Sequence, residues 1–133
     1  RLSLVGSEMC IRDSPEGVSI YKTDESDGYV ILSSQGDGKF NIYNRKAPYD
    51  FISSFKIIGN GSIDGVSDTD GVETLNYNLK CKESYNQLDF CDDFPLGIMI
   101  VQDGYNYDGE NKVNQNFKLV SFEQILDNLD VTR

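Results

Sequence analysis

Residues 29–45, YVILSSQGDGKFNIYNR, decide the fold. They hold two short apolar runs that are rich in β-branched and aromatic side chains, and the polar turn QGDG separates the runs. In the second run Phe40, Ile42 and Asn44 share one face, because side chains of a strand alternate between its two sides. This pattern predicts two neighbouring strands of a half-buried sheet.

Similar apolar runs flank this pair on both sides. Residues 18–21 precede it and residues 51–57 follow it, and the turn sequences SDG and KAPYD lie between the runs. Short strands at a spacing of about ten residues are typical of an all-β domain. We therefore predict an antiparallel meander of four strands within residues 15–60.

The chain then repeats itself. Three segments recur in order: EGV at 16–18 as DGV at 70–72, ILSSQ at 31–35 as IMIVQ at 98–102, and FNIY at 40–43 as FKLV at 117–120. Repeated units of four strands are typical of the blades of a β-propeller. Residues 61–133 are thus predicted to be a second blade.

This second blade ends differently from the first. Strands are predicted near residues 72–76, 97–102 and 116–120, and a helix follows them. Ser121 and Gln124 form a capping box, and the next apolar residues fall at helical spacing. Those residues are Phe122, Ile125, Leu126 and Leu129. The blade is one strand short, so we expect it to be the final, incomplete blade of a larger ring.

Composition excludes several classes of function. The 133 residues carry 22 acidic and 12 basic side chains, a net charge of −10, and no His. An acidic chain without a basic stripe is not expected to bind nucleic acid. The absence of His removes His-based triads and most zinc sites. No apolar run is long enough to span a bilayer, so no membrane partner is predicted.

The first residues differ from the rest in origin. Residues 4–14, LVGSEMCIRDS, resemble the conceptual translation of a transposon-type sequencing adapter joined to a truncated reading frame. We therefore treat residues 1–14 as non-native and exclude them from the fold; the alternative is a natural N-terminal strand. The repeat aligns Ser14 with Asp68, which predicts that the native residue at position 14 is Asp.

Two cysteines, Cys81 and Cys91, lie in a polar insertion of the second repeat, KCKESYNQLDFCDDFP. One interpretation is a loop-closing disulfide, which would place the protein in an oxidising compartment. The other is a pair of free thiols. No CxxC motif is present, so sulfur ligation of a metal is not expected.

Two acidic turns are candidates for cation binding. DGVSDTDG contains Asp64, Asp68 and Asp70, and QDGYNYDG contains Asp103, Asn106 and Asp108. Oxygen ligands that converge on one point suit a hard cation such as calcium. The alternative is turn chemistry, because Asp, Asn and Gly are the residues that tight turns use.

The repeat adds a geometric argument for Glu16 and Asp70. The first strand of each propeller blade lines the central channel, so these equivalent residues are expected at the same channel mouth. Two carboxylates placed there repel each other unless a cation bridges them or one takes up a proton.

These segments together resemble the C-terminal part of the β-propeller phytases, which are calcium-dependent phytate 3-phosphatases. The matching segments are PEGVSIY (15–21), YVILSSQGDGKFNIYNR (29–45), IDGVSDTDGVE (63–73), GIMIVQDGYNYDG (97–109) and NQNFKLVSFEQI (114–125). The resemblance implies a six-bladed propeller of which this chain forms the last two blades, with a short C-terminal helix. It also implies hydrolysis of phytate or other inositol phosphates by a full-length, monomeric, secreted or periplasmic parent.

The resemblance assigns roles to particular residues. It implies that Glu16 bridges catalytic calcium ions, that Gln35 helps to hold one of them, and that Asp70 lines the same cleft. It further implies a structural calcium site at Asp64, Asp103 and Asn106. Tyr105 departs from the family, which often has Glu at that position, and this weakens the second site.

The family's remaining calcium ligands and its basic phosphate-binding residues precede this segment. We therefore expect the isolated chain to be inactive and marginally folded, with two exposed sheet edges prone to association. The alternative function is a non-catalytic, calcium-stabilised propeller used for binding, because propellers host many functions.

Overall fold

The computed structural model describes residues 15–80 and 93–129. It consists of antiparallel sheets and one short helix, which confirms the all-β prediction. Residues 1–14, Cys81 and Cys91 lie outside the described residues, so the predictions for them stay predictions. Across the described residues, no helix has the length and apolar character that crossing a membrane would need.

The strands form a four-stranded, a three-stranded and a two-stranded sheet. The elements are β1 (Pro15–Lys22), β2 (Gly28–Ser34), β3 (Lys39–Asn44), β4 (Phe51–Phe55), β5 (Val72–Leu75), β6 (Ile98–Asp103), β7 (Tyr107–Asp108), β8 (Asn111–Lys112), β9 (Asn116–Ser121) and α1 (Phe122–Asn128). The first sheet has the order β1-β2-β3-β4, the second β5-β6-β9, and β7 pairs with β8. The predicted meander is confirmed, whereas the β7–β8 hairpin was not expected from the sequence.

The first sheet buries one face. Ile31 pairs with Ser19 on one side and with Ile42 on the other, so these residues point to the same side of the sheet. Ile31 and Ile42 are fully buried there. Val18 and Ile20 point to the opposite side, and they are 62% and 47% exposed.

The second sheet covers the buried face of the first. Met99 and Val101 of β6 are inaccessible to solvent, and they pair with Thr74 and Val72 of β5. The joint core comprises Tyr21, Ile31, Phe40, Ile42, Val66, Met99, Val101, Phe122, Ile125 and Leu126. Burial of this apolar surface is the main force that holds the two sheets together.

Helix α1 follows β9 directly in the chain, where a four-stranded blade would continue with a fourth strand, and it confirms the predicted helix. The Ser121 side chain accepts a hydrogen bond from the Gln124 backbone N–H at 3.5 Å. Phe122 stacks on Tyr21, with ring centroids 3.5 Å apart and planes 2° from parallel. The Tyr21 hydroxyl donates to the Leu96 carbonyl at 2.6 Å, and burial raises the pKa of Tyr21 to about 12.

The outer face of the second sheet is open. Phe117 and Leu119 are 71% and 59% exposed, although their counterparts in the repeat, Phe40 and Ile42, are buried. The difference arises because the second sheet covers the face of the first sheet that carries Phe40 and Ile42. No layer of the described residues covers the face of the second sheet that carries Phe117 and Leu119. The alternation of β9 instead turns Lys118 towards the interior, where it is 8% exposed.

Gly97, just before β6, allows us to predict a large local effect. Its φ is +77°, and a Cβ there would lie 1.8 Å from the Leu75 carbonyl oxygen. Gly97→Ala is therefore expected to cost about 1 kcal/mol for the left-handed backbone and about 1 to 3 kcal/mol more for the clash. Urea unfolding of this variant measures the loss.

Gly38→Ala is the matched control for Gly97→Ala. Gly38 has a φ of +59°, but among the described residues, its two chain neighbours aside, no atom lies within 4 Å of the position of a Cβ. Its replacement is expected to cost only the backbone contribution, about 1 kcal/mol. Equal losses in the two variants would contradict the close approach at Gly97.

Candidate functional site

The start of β1 and the segment before β5 approach each other closely. A Cβ at Gly17 would lie 3.1 Å from the Asp70 carbonyl oxygen and 3.0 Å from the Val72 nitrogen. The pairing of β1 with β2 shifts register between Pro15 and Val18, as at a bulge. Bulges re-aim side chains at the ends of sheets. Glycine at position 17 therefore brings the backbone that carries Glu16 against the backbone that carries Asp70.

Two glutamines fix Asp70 in this place. The Gln35 side-chain amide donates to Asp70 Oδ1 at 2.5 Å. The Gln102 side-chain oxygen accepts from the Asp70 backbone N–H at 2.8 Å, and the Gln102 N–H donates to the Gly71 carbonyl at 3.0 Å. One glutamine thus orients the carboxylate, and the other holds the backbone that carries it.

The first predicted set, Glu16, Gln35 and Asp70, lies at one end of the two sheets. Glu16 and Asp70 are exposed, and Gln35 is partly buried. The set offers two carboxylates and an amide oxygen, which are the hard ligands that calcium prefers. With the Gln35 N–H₂ group turned to Asp70, its oxygen is left for another donor or an ion. The chemistry of these residues therefore fits a calcium ion.

The second predicted set is organised by a lysine. The Lys118 ammonium is 2.5 Å from Asp64 Oδ1, contacts Asp103 Oδ2, and donates to the Gly65 carbonyl at 2.9 Å. Asp103 is inaccessible to solvent. The two predicted carboxylates do come together, but a side-chain ammonium lies between them.

The remaining oxygens of this pair also have donors. Asp103 Oδ1 accepts from the Ser67 N–H at 2.9 Å, and Asp64 Oδ2 accepts from the Tyr107 N–H at 2.8 Å. The hydrogen bond from Lys118 holds the pKa of Asp64 below its ordinary value. With Lys118 in place, this second set does not fit the predicted calcium ion, because an ammonium occupies the space between the two carboxylates and each of their oxygens already accepts a hydrogen bond.

Asn106, the third member of the second set, serves the neighbouring loop. Its side-chain amide donates to the Asn114 carbonyl at 2.8 Å. Tyr105, which departs from the family pattern, lies under the Lys112 ammonium at 3.9 Å from the ring centroid. The Lys112 ammonium is thus a second positively charged side chain in the same region, and the face of the Tyr105 ring holds it.

Sequence reasoning missed two polar groups. Lys118 could have been found from the alternation of β9, which places it opposite to Phe117 and Leu119. The other group joins β1 to β5: Ser19 Oγ donates to Glu73 Oε1 at 2.7 Å and lies 2.9 Å from Thr74 Oγ1. The hydrogen bond from Ser19 lowers the pKa of Glu73. No local sequence pattern predicts the contact of Ser19 with Glu73 and Thr74, because it joins residues that are far apart in the sequence.

Within residues 15–80 and 93–129, no three side chains of the His, Cys, Asp or Glu type converge as a metal-binding group. The first set combines two carboxylates with an amide, and the second contains two carboxylates and an ammonium. The metal roles of all six residues stay predictions.

Comparison with known proteins identifies the family. A family model described as Phytase matches residues 5–133. The 3-phytase of Bacillus subtilis (strain 168) is 40% identical over 114 residues, which is 86% of this chain and 27% of that protein. The chain thus spans about a quarter of the length of this relative. Both comparisons place the chain in one family: it belongs to the Phytase family.

Proposed function

We propose that the full-length parent of this chain hydrolyses phosphomonoesters of phytate with the help of calcium. We further propose that residues 15–133 form the last two blades of its six-bladed propeller. Family membership and the name of the Bacillus relative support the substrate. The observation that carries the proposal is the hydrogen bond from Gln35 to Asp70 beside the start of β1, the strand that carries Glu16.

The proposed roles of these residues follow from their contacts. Calcium, when bound, neutralises phosphate charge and lowers the pKa of a coordinated water. Glu16 and Asp70 supply negative charge at the site, and the Gln35 amide orients the Asp70 carboxylate at 2.5 Å. Gln102 keeps the Asp70 backbone fixed, so the carboxylate does not need to reorganise when a ligand arrives.

The chain alone lacks what phytate recognition requires. Phytate is a dense polyanion, whereas this chain has a net charge of −10. A cavity of about 480 Å³ lies open on the outer face of the first sheet. Val18, Ile20 and Leu32 are among its lining residues. We propose that preceding blades cover this face and supply the basic residues, so that the isolated chain has no activity.

The proposal is tested by phosphate release from phytate. The parent, the parent carrying Asp70→Asn and the isolated chain are assayed with calcium and with a chelator. We expect calcium-dependent release by the parent and none by the isolated chain. Asp70→Asn is expected to lower activity or calcium affinity by about 10 to 100-fold, because it removes a ligand charge but keeps the shape.

Glu110→Gln in the parent is the control, since Glu110 is an exposed acid in the β7–β8 turn and belongs to neither predicted set. It removes the same charge and is expected to leave activity unchanged. A parent that binds phytate without releasing phosphate would overturn the enzyme assignment in favour of a binding module. Phosphate release by the isolated chain would overturn the requirement for the missing blades.

We also propose a monomeric parent that is secreted or periplasmic. The placement rests on the family resemblance and on the predicted Cys81–Cys91 disulfide. Size measurement of the purified parent and fractionation of its source cells test both statements.

A further inference from the structure

We propose that Lys118 is the resident cation of the Asp64–Asp103 carboxylate pair and that it excludes a divalent cation from this position. The ammonium would thereby perform the structural task for which a calcium ion was predicted at Asp64, Asp103 and Asn106. This assignment goes beyond the proposed activity and does not depend on it, since it concerns other residues.

The first argument is the completeness of the hydrogen bonding around Lys118. A lysine ammonium has three N–H donors and no acceptor. Here Asp64 Oδ1, Asp103 Oδ2 and the Gly65 carbonyl receive one each. Each carboxylate uses its other oxygen to accept a backbone N–H, from Tyr107 and from Ser67 respectively. Neither the ammonium nor the carboxylates lack a partner.

The second argument is burial. Asp103 is 0% exposed and Lys118 is 8% exposed. A buried carboxylate requires a counter-charge at hydrogen-bonding distance, and Lys118 supplies it from within the chain. A calcium ion would have to displace the ammonium, and the displaced Lys118 would need a path to solvent from the interior face of β9.

The third argument is the chemistry of the neighbouring loop. Tyr105 replaces an acid that the family often has, and it binds the Lys112 ammonium on its ring. At this position the loop therefore offers an aromatic ring. A carboxylate in the same place would favour calcium binding. Tyr105 carries no negative charge and Lys112 adds a positive one, so this loop offers little negative charge to a divalent ion.

One observation favours an ion instead. The Asn116 side-chain oxygen is buried and has no hydrogen-bond partner among the described residues. Asn116 is the strand partner of Asp103. A calcium ion that displaced Lys118 would find this oxygen free, so Asn116 belongs in the test.

The test is chemical labelling of lysines in the whole 133-residue chain. Acetic anhydride modifies exposed amines, and peptide mass spectrometry reports the rate at each lysine. Lys118 is expected to react at least about tenfold more slowly than exposed Lys46, with and without calcium, because reaction requires local opening. Rapid labelling of Lys118, or an increase on adding calcium that Lys46 does not share, would overturn the proposal.

Variants give an independent readout through calcium-dependent unfolding. Lys118→Met frees both carboxylates, so calcium is expected to raise its unfolding temperature more than that of the unaltered chain. Adding Asp64→Asn to Lys118→Met should abolish this gain. An equal calcium response with and without Lys118, or a response of the unaltered chain that Asn116→Ala removes, would overturn the assignment. If Lys118→Met does not fold, the labelling experiment still decides. Lysine labelling and calcium-dependent unfolding do not involve Asp70. Both measurements therefore still test the role of Lys118 if Asp70→Asn leaves the activity of the parent unchanged.

Discussion

Phe122→Ala is expected to lower the free energy of unfolding by about 3 to 5 kcal/mol, as for large core residues in general. Phe122 is inaccessible to solvent, and its ring lies flat on Tyr21 at 3.5 Å. Truncation removes the transfer energy of the ring and leaves a cavity between α1 and β1. Because even ordinary small domains are stable by only about 5 to 15 kcal/mol and this chain is expected to be marginally folded, the variant is expected to be largely unfolded at low urea concentrations.

Phe117→Ala is the matched control, because it deletes the same ring a few residues earlier. Phe117 is 71% exposed on the open face of the second sheet. Its removal is expected to change stability by less than about 0.5 kcal/mol. Urea unfolding followed by circular dichroism compares the two variants. Similar midpoints for both would show that α1 does not pack on β1 as described.

Asp103→Asn is the second change with a large expected effect. The replacement keeps the shape of the side chain and can still accept from the Ser67 N–H, but it removes the buried negative charge. Lys118 is then left with one carboxylate, Asp64, whose side chain is 23% exposed. Removing one partner of a buried ion pair typically costs about 3 to 5 kcal/mol, and a loss in that range is expected here.

Asp27→Asn makes the same chemical change in a surface pair. Asp27 Oδ1 lies 2.6 Å from the Lys46 ammonium, and the two side chains are 41% and 57% exposed. Exposed pairs contribute at most about 1 kcal/mol, so this control is expected to unfold close to the unaltered chain. If Asp103→Asn unfolded at the same urea concentration as Asp27→Asn, the Asp103–Lys118 pair would be a surface-like contact and not a buried one.

Local features of the fold could be predicted from the sequence because they depend on neighbours in the chain. The capping box of Ser121 and Gln124 predicted the start of α1, and the alternation of side chains around Phe40 and Ile42 predicted β3. Such signals are fixed within a few residues by backbone geometry and burial. The β7–β8 hairpin was missed because two-residue strands leave almost no periodic pattern.

The candidate sites were predictable only in part. The acidic residues could be selected by type, but their partners are decided by strand register. Lys118 reaches Asp103 because β6 and β9 pair, and it reaches Asp64 because the segment before β5 folds over them. Gln35 was expected near the site, whereas its bond to Asp70 depends on how the two sheets pack. Contacts between distant segments of this kind have no signature in composition or spacing.

The stacking of Phe122 on Tyr21 also has a consequence for biosynthesis. The ribosome makes β1 well before α1, yet the two meet in the same core. While the nascent chain lacks α1, the inner face of β1 and β2 carries exposed apolar surface, and such surface attracts chaperones and other nascent chains. The four-stranded meander can form during translation from contacts close in sequence, but this core closes only after α1 has left the ribosome.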